Sequence, residues 1–354
     1  MMPQAPTLRQ LLERESVPAG PELVRREDGD LLRCLACGHR CRIPDGQQGI
    51  CKVRWRKGEE LLVPWGYVAG IQVDPVEKKP FYHVLPGSQA LSFGMLGCDL
   101  HCGYCQNWVT SQALRDPAAG SDFQRASPER ISALAIEQGA PIVVSTYNEP
   151  LITAEWSHAV FERAQERGLR CGFVSNGNAT PEVLRYMRPV TDFYKVDLKG
   201  FDDARYRKLG GVLSNVLRSL EDLRSLGYWI EVVTLLVPGF NDDDSELRAL
   251  CAFLAGLDRE IPWHVTAFRP DYKMRDSDAT SANSLLRACE IGEAAGLRYI
   301  YAGNLPGAVG DRESTFCPGC GATVVERHGF RVTANRLESG RCPSCSASIP
   351  GVWN

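Results

Sequence analysis

Between residues 89 and 313 short apolar runs alternate with longer amphipathic stretches. The runs at 90–96, 141–145, 170–175, 193–197, 229–237, 263–268 and 298–302 have the length and composition of strands. The stretches at 128–138, 153–167, 213–226, 243–257 and 281–295 repeat apolar positions with a helical period. Gly139, Gly168, Gly227 and Gly296 fall just beyond helical stretches, where a left-handed C-cap favours glycine. This β-α alternation predicts an α/β fold with a parallel sheet. Some seven strands in this repeat fit a full or partial (β/α) barrel, with an open doubly wound sheet as the alternative. In either, ligands sit at the C-terminal strand ends.

The flanks read differently. Residues 1–88 are rich in cysteine, glycine and turn signals, with short strand-like pieces such as 60–63. Residues 314–354 are similar, so the predicted parts are 1–88, a core of 89–313, and 314–354. Neither flank can bury much apolar surface alone, so each needs a metal or the core to fold. The 354 residues are 44% hydrophobic and 23% charged, an ordinary globular balance, and the formal net charge of -3 lacks the basic excess of a nucleic-acid or acidic-membrane binder. No apolar run is long enough to span a bilayer, and the opening MMPQAPTLRQLLERESV lacks the apolar core of a signal peptide, so the expectation is a cytoplasmic protein. In that compartment 14 cysteines point to metal or redox chemistry and not to disulfides. Cys171, Cys251 and Cys289 stand alone in strand or helix patterns and read as small core residues; the others form three groups.

The central group lies in GCDLHCGYCQNW, where Cys98, Cys102 and Cys105 have the spacing C-x3-C-x2-C on a loop after the first core strand. Three thiolates leave one iron of a four-iron cubane open, and an open iron can bind a chelating substrate. A zinc site completed by His101 is the alternative, but zinc knuckles usually pair CxxC units. Cys317-x2-Cys320 and Cys342-x2-Cys345 do form such a pair, a zinc-ribbon pattern that presents four thiolates to zinc or, less readily, to a single iron. Cys34-x2-Cys37-x3-Cys41-x9-Cys51 is less regular. Structural zinc is the preferred occupant there and an auxiliary cluster the alternative, with His39 as a substitute ligand.

The cysteine motif, followed by Gln106 and Asn107, resembles the activating-enzyme branch of the radical S-adenosylmethionine (SAM) proteins, relatives of pyruvate formate-lyase activating enzyme. Longer strings resemble the radical SAM member of the AmmeMemoRadiSam system: VRREDGDLLRCLACGHRCRIPDGQQGICKVR, VDPVEKKPFYHVLPGS, FGMLGCDLHCGYCQNW, STYNEP, VDLKGF, VPGFND, YAGNLPG and IPGVW, in order over nearly the whole chain. The resemblance implies a partial (β/α) barrel and a [4Fe-4S] cluster that cleaves SAM to a 5′-deoxyadenosyl radical. That radical would abstract hydrogen from a substrate, either a small molecule or a partner protein on which a glycyl radical is made. It also implies an electron donor such as flavodoxin or ferredoxin, and association with Memo-like and AMMECR-like proteins. Beyond the cluster ligands no catalytic side chain is required.

The same resemblance assigns SAM contacts at the strand ends. Glu149 of STYNEP would meet the SAM amino group, although Tyr147 and Asn148 stand where the family carries two glycines. Ser175 and Asn176 suit a carboxylate or ribose, Asp197 and Lys199 the carboxylate region, and Val237 the adenine; His264 could face the mouth. Each has a plainer reading: Glu149 at a helix N-terminus, Ser175 and Asn176 as turn residues, Asp197 with Lys199 as an ion pair, Val237 in a strand-to-helix turn, His264 in the core. Lys78 and Lys79, before His83, read as a solvated charged loop. A second function class is a nucleic-acid module in which Arg327, His328, Arg331, Arg336 and Arg341 of the ribbon grip phosphates.

Overall fold

All seven apolar runs are strands of one sheet in the computed structural model, which describes residues 7–119 and 122–353. The first six residues of the opening stretch discussed above lie outside the described residues. The sheet has eight strands: β1 (Gly70–Pro75), β2 (Gln89–Gly94), β3 (Ile142–Ser145), β4 (Arg170–Ser175), β5 (Phe193–Asp197), β6 (Trp229–Leu236), β7 (Trp263–Ala267) and β8 (Ile300–Gly303). They are hydrogen-bonded in chain order from β1 to β8. β2 to β8 run parallel, and β1 pairs antiparallel with β2 from Gly70↔Gly94 to Pro75↔Gln89. A doubly wound sheet reverses its strand order at a switch point; this order never reverses. Gln72 and Asp74 on one edge strand and Tyr301 and Gly303 on the other line a single cavity, so the sheet is curled into a partial (β/α) barrel.

The helices Pro128–Glu137, Ala154–Gln165, Leu213–Ser225, Asp244–Leu257 and Ala282–Ala294 lie between successive strands. Ser127, Asp243 and Ser281 cap three of them by accepting backbone N–H bonds. Gly139, Gly168, Gly227 and Gly296 follow helices with φ of 63°, 75°, 74° and 93°. Val216, Leu220 and Leu223 of the third helix are fully buried at helical spacing. Four shorter helices, Leu8–Arg14, Trp108–Ser111, Pro181–Met187 and Asp203–Lys208, were not predicted, because one or two turns carry too little periodicity to register. Among the described residues no helix is long and apolar enough to cross a membrane.

The flanks are built into this core. The N-terminal segment forms two small sheets and then supplies β1 itself. The loop read as solvated is in fact largely buried: Glu77 and His83 are fully covered and Lys79 is 5% exposed, while Lys78 stays in solvent. The reason is the C-terminal segment, which lies over it. His83 Nδ1 is 2.7 Å from Pro350 O, and its Nε2 is 2.7 Å from Tyr301 Oη. Burial pushes the His83 imidazole down to about 4, so the ring is neutral. Val84 pairs with Val352. Arg327, which the nucleic-acid reading placed at a phosphate, is buried between Glu77 at 3.5 Å, Tyr82 O at 2.6 Å and Thr315 Oγ1 at 2.8 Å. Arg336 pairs with Glu326. Of the five proposed phosphate contacts, Arg327 is therefore committed to the fold, while Arg336 stays half exposed.

Candidate active site

Alternation along parallel strands aims every second side chain inward. Lys195 and Asp197 of β5, Val233 and Leu235 of β6, His264 and Thr266 of β7 thus line a cavity of about 720 Å³ inside the curl. The cysteine loop crosses its upper end. Gly97 opens that loop at φ 96°, where a Cβ would lie 2.9 Å from Val53 Cγ1 and 3.3 Å from Cys51 O. Only glycine suits both the backbone angle and the space. Arg115 holds the loop through Nη1, which donates to Cys98 O at 2.7 Å and Leu100 O at 2.9 Å.

Cys98, Cys102 and Cys105 all line the cavity, and no other cysteine does. Leu100 N donates toward Cys98 Sγ at 3.3 Å, and Ser111 Oγ is 3.2 Å from Cys105 Sγ. His101 points outward, packs against Gly210, and does not line the cavity, so it does not complete a zinc site. Burial pushes the Cys102 thiol up to about 12 against the pull of Lys199, and burial, then the Asp99 and Glu149 charges, holds the Cys98 thiol well above its ordinary value. Thiolates here therefore need positive charge from a bound metal group. Three thiols on one loop, facing a cavity without a fourth, fit a cluster with one open iron.

Glu149 lies beside this loop at 2% exposure. Its Oε1 accepts from Leu151 N at 3.1 Å and Ser175 Oγ at 2.7 Å, and its Oε2 accepts from Asn176 N at 2.7 Å. Of roughly four lone-pair sites on a carboxylate, this leaves about one for a ligand. Burial, then the Asp99 charge, pushes the Glu149 carboxyl up to about 8. Asn176 Nδ2 turns to Asp99 at 2.7 Å, and Asn178 Nδ2 does so at 2.8 Å. Both the ligand reading and the plainer one apply to Glu149, Ser175 and Asn176: they line the cavity and also tie β3 to β4. Tyr147, where glycine was expected, adopts the left-handed φ of 70° that glycine would supply. Its hydroxyl is 3.1 Å from Lys79 Nζ.

Asp197 contacts Lys195 directly and lies 3.6 Å from Lys199 Nζ. Burial would raise its carboxyl, but the two ammonium groups overcome this and hold it below the usual range. Lys195 was missed in the sequence; its signal was the i, i+2 spacing before Asp197 in a strand whose end faces ligand. Val237 does not line this cavity: it is fully buried with Leu100, Cys102, Tyr104 and Phe268, and its N–H donates to Asn241 Oδ1. Val233 and Leu235 form the apolar wall instead. His264 does face the cavity, low on the wall. Its Nε2 is 2.7 Å from Glu231, whose carboxylate also accepts from Tyr82 N and His83 N at 2.9 Å.

The four C-terminal sulfurs of Cys317, Cys320, Cys342 and Cys345 lie within 4.8 Å of one another, a set able to hold a metal ion. Cys34, Cys37 and Cys51 are buried and Cys41 half-buried. His39 Nε2 is 3.2 Å from Asp99 O, so that nitrogen is engaged by the loop of Cys98.

A family model for the radical SAM superfamily matches residues 94–251. Over 329 residues, 91% of this chain and 96% of the relative, the chain is 34% identical to an uncharacterised protein of Methanocaldococcus jannaschii. It is 29% identical over 197 residues to the pyruvate formate-lyase-activating enzyme of Staphylococcus aureus, covering 51% of this chain and 76% of that one. Among solved structures, SuiB of Streptococcus suis bound to S-adenosylmethionine is 13% identical with a TM-score of 0.49, covering 69% of this chain and 56% of that one. A domain of the activating enzyme from Bacteroides vulgatus is 17% identical with a TM-score of 0.42, over 46% of this chain and 98% of that one.

Proposed function

Because the chain belongs to the radical SAM superfamily and is related to the activating enzymes, we propose that Cys98, Cys102 and Cys105 hold a [4Fe-4S] cluster and that the cavity beneath them binds SAM. When bound and reduced, the cluster supplies the electron that splits SAM into methionine and a 5′-deoxyadenosyl radical, which takes a hydrogen atom from the substrate. The observation that carries this reading is that the three cysteines open onto the same cavity as Glu149, Ser175, Asn176, Asp197 and Lys199. Glu149 offers one remaining acceptor site to the SAM ammonium. Lys199 offers a cation to its carboxylate, with Asp197 and Lys195 setting the position of that ammonium group. Val233 and Leu235 keep water from the reacting centre. Val237 acts from behind, by supporting the cysteine loop.

The relation to activating enzymes favours a partner protein as substrate, with a glycyl radical as product. The resemblance of the longer strings to the AmmeMemoRadiSam member separately favours association with Memo-like and AMMECR-like proteins. A cytoplasmic flavodoxin or ferredoxin would supply the electron. The C-terminal quartet would hold structural zinc, since all four thiolates are used and no position is left open. After anaerobic reconstitution and reduction the protein should convert SAM to 5′-deoxyadenosine, measured by chromatography. Changing Cys98, Cys102 and Cys105 together to alanine should abolish the product. Undiminished cleavage by that triple variant would exclude the assignment.

A further inference from the structure

The three cysteine groups are spaced in two ways. In the C-terminal set Cys317 and Cys345 sulfurs are 3.5 Å apart, and those of Cys320 and Cys342 are 3.7 Å apart. A tetrahedral ion with metal–sulfur bonds of about 2.3 Å places its ligands about 3.8 Å from one another. Among the described residues no other set of three or more such ligand atoms lies within 4.8 Å of one another. The loop set, Cys98, Cys102 and Cys105, is therefore wider, and so is the N-terminal set, Cys34, Cys37, Cys41 and Cys51. A single ion draws its ligands together, whereas a multi-iron cluster holds them apart at its corners.

The N-terminal thiols nevertheless belong to one site. Cys34 N donates to Cys41 O at 2.9 Å. The chain returns beside them before Cys51: a Cβ on Gly49 would lie 3.5 Å from Cys41 Sγ, and Ile50 N donates toward the same sulfur at 3.5 Å. Arg54, 1% exposed, directs Nη1 at Cys34 Sγ from 3.8 Å, while its Nε donates to Ile152 O and its Nη2 pairs with Glu155. Hydrogen bonds to sulfur are among the groups by which proteins tune iron–sulfur clusters. None of the four cysteines is in a disulfide.

The site also abuts the cysteine loop. Cys51 O faces Gly97, the residue before Cys98, at 3.3 Å from where a Cβ would be. Arg115, which holds Cys98 O and Leu100 O, donates through Nη2 to Ile50 O. His39, between Cys37 and Cys41, sits on Asp99.

We propose that Cys34, Cys37, Cys41 and Cys51 hold a second iron–sulfur cluster and not zinc, close enough to the Cys98–Cys105 loop to exchange an electron with the cluster there. Four cysteines leave no iron open, so this cluster carries electrons and does not bind SAM. Transfer of one electron oxidises it by one and reduces the loop's cluster by one; an external one-electron donor protein restores it. The identity of the group stands on the cysteines alone, whereas the exchange rests on the function proposed above.

Metal and sulfide counts on the full anaerobically reconstituted chain test the identity. The wild type should hold about six to eight iron, as much sulfide and one zinc, and the Cys98→Ala/Cys102→Ala/Cys105→Ala variant about two to four iron, as much sulfide and one zinc. Two zinc ions in the wild type, with all its iron lost in the triple variant, would overturn the proposal while leaving the radical SAM reading intact. Iron retained by the triple variant, in a wild type that makes no 5′-deoxyadenosine, would support the second cluster and defeat that reading instead. For the exchange, the paramagnetic resonance spectrum of the reduced wild type should be broadened by spin coupling. A spectrum free of such broadening, from a chain that holds both reduced clusters, would overturn the proximity.

Discussion

Glu149 accepts three hydrogen bonds from the protein while buried beside a second carboxylate, and its proton is governed by that setting. With its carboxyl pushed from the ordinary 4.5 up to about 8, the folded chain keeps a proton that the unfolded chain has released. The associated stability is fully present below about pH 4.5 and is lost as pH rises through about 8. The thermal midpoint of the SAM-free protein should therefore fall more steeply across this window in the wild type than in Glu149→Gln; parallel slopes would contradict the shifted proton. A SAM ammonium favours the ionised form, so binding near neutral pH should release a proton, read as a buffer-dependent heat in calorimetry. Glu149→Gln should weaken SAM binding by roughly tenfold or more, in line with about 1.5–3 kcal/mol for a charge-assisted hydrogen bond, with iron content unchanged. Tyr147 shows a limit of residue-level reading. Its substitution for glycine suggested a different backbone, yet the left-handed angle persists, because Asn148 Oδ1 accepts from Met95 N and Tyr147 Oη meets Lys79.

Elements at the two chain ends are joined by charge as well as by strands. Both side chains of the Arg327–Glu77 pair are fully buried, and removing one partner leaves the other uncompensated. Arg327→Met should destabilise the protein by about 3–5 kcal/mol in chemical denaturation. Adding Glu77→Gln should recover part of that loss, and a further loss instead would show that the two do not act as a pair. The ribbon depends on a different device. Its three strands, Thr315–Phe316, Thr323–His328 and Arg331–Asn335, surround a small apolar cluster that includes Cys317 and Cys342. Cys342→Ala should lower the zinc count by one per chain and open residues 317–345 to limited proteolysis. The absorption of the cluster on Cys98, Cys102 and Cys105 should persist. Metal binding can contribute roughly 10–16 kcal/mol in zinc-finger peptides, far more than the few apolar contacts here.

For the whole molecule, the barrel sheet is completed by the N-terminal flank. β1 lies within residues 1–88 and pairs along its full length with β2, and Tyr82 lines the cavity beside His264 and Tyr301. A chain begun at residue 89 would expose the edge of β2 and leave Glu231 without its bonds from Tyr82 N and His83 N. Such a truncation should be aggregation-prone and fail to bind SAM; a soluble, SAM-binding fragment would show that the flank is dispensable. β1, from the N-terminal part, is thus a strand of the core sheet.

The sequence by itself determined the seven parallel strands, the five long helices and the glycine ends of four of them, the cysteine loop and the ribbon. These follow from local periodicity and spacing, and short-range geometry leaves few alternatives. What only the tertiary structure decided were relations between distant segments. Lys195 became one of three members of an ion-pair triad with Asp197 and Lys199 because the curl turns it inward with Asp197. Val237 was placed behind the loop and not in the cavity because β6 ends at Leu236 and the inward alternation of Val233 and Leu235 stops there. Glu77, His83 and Arg327 look like solvated polar residues along the chain, and they are buried because the two ends fold over one another. Burial and charge pairing depend on which surfaces meet, and that meeting is a property of the assembled fold and not of any local stretch.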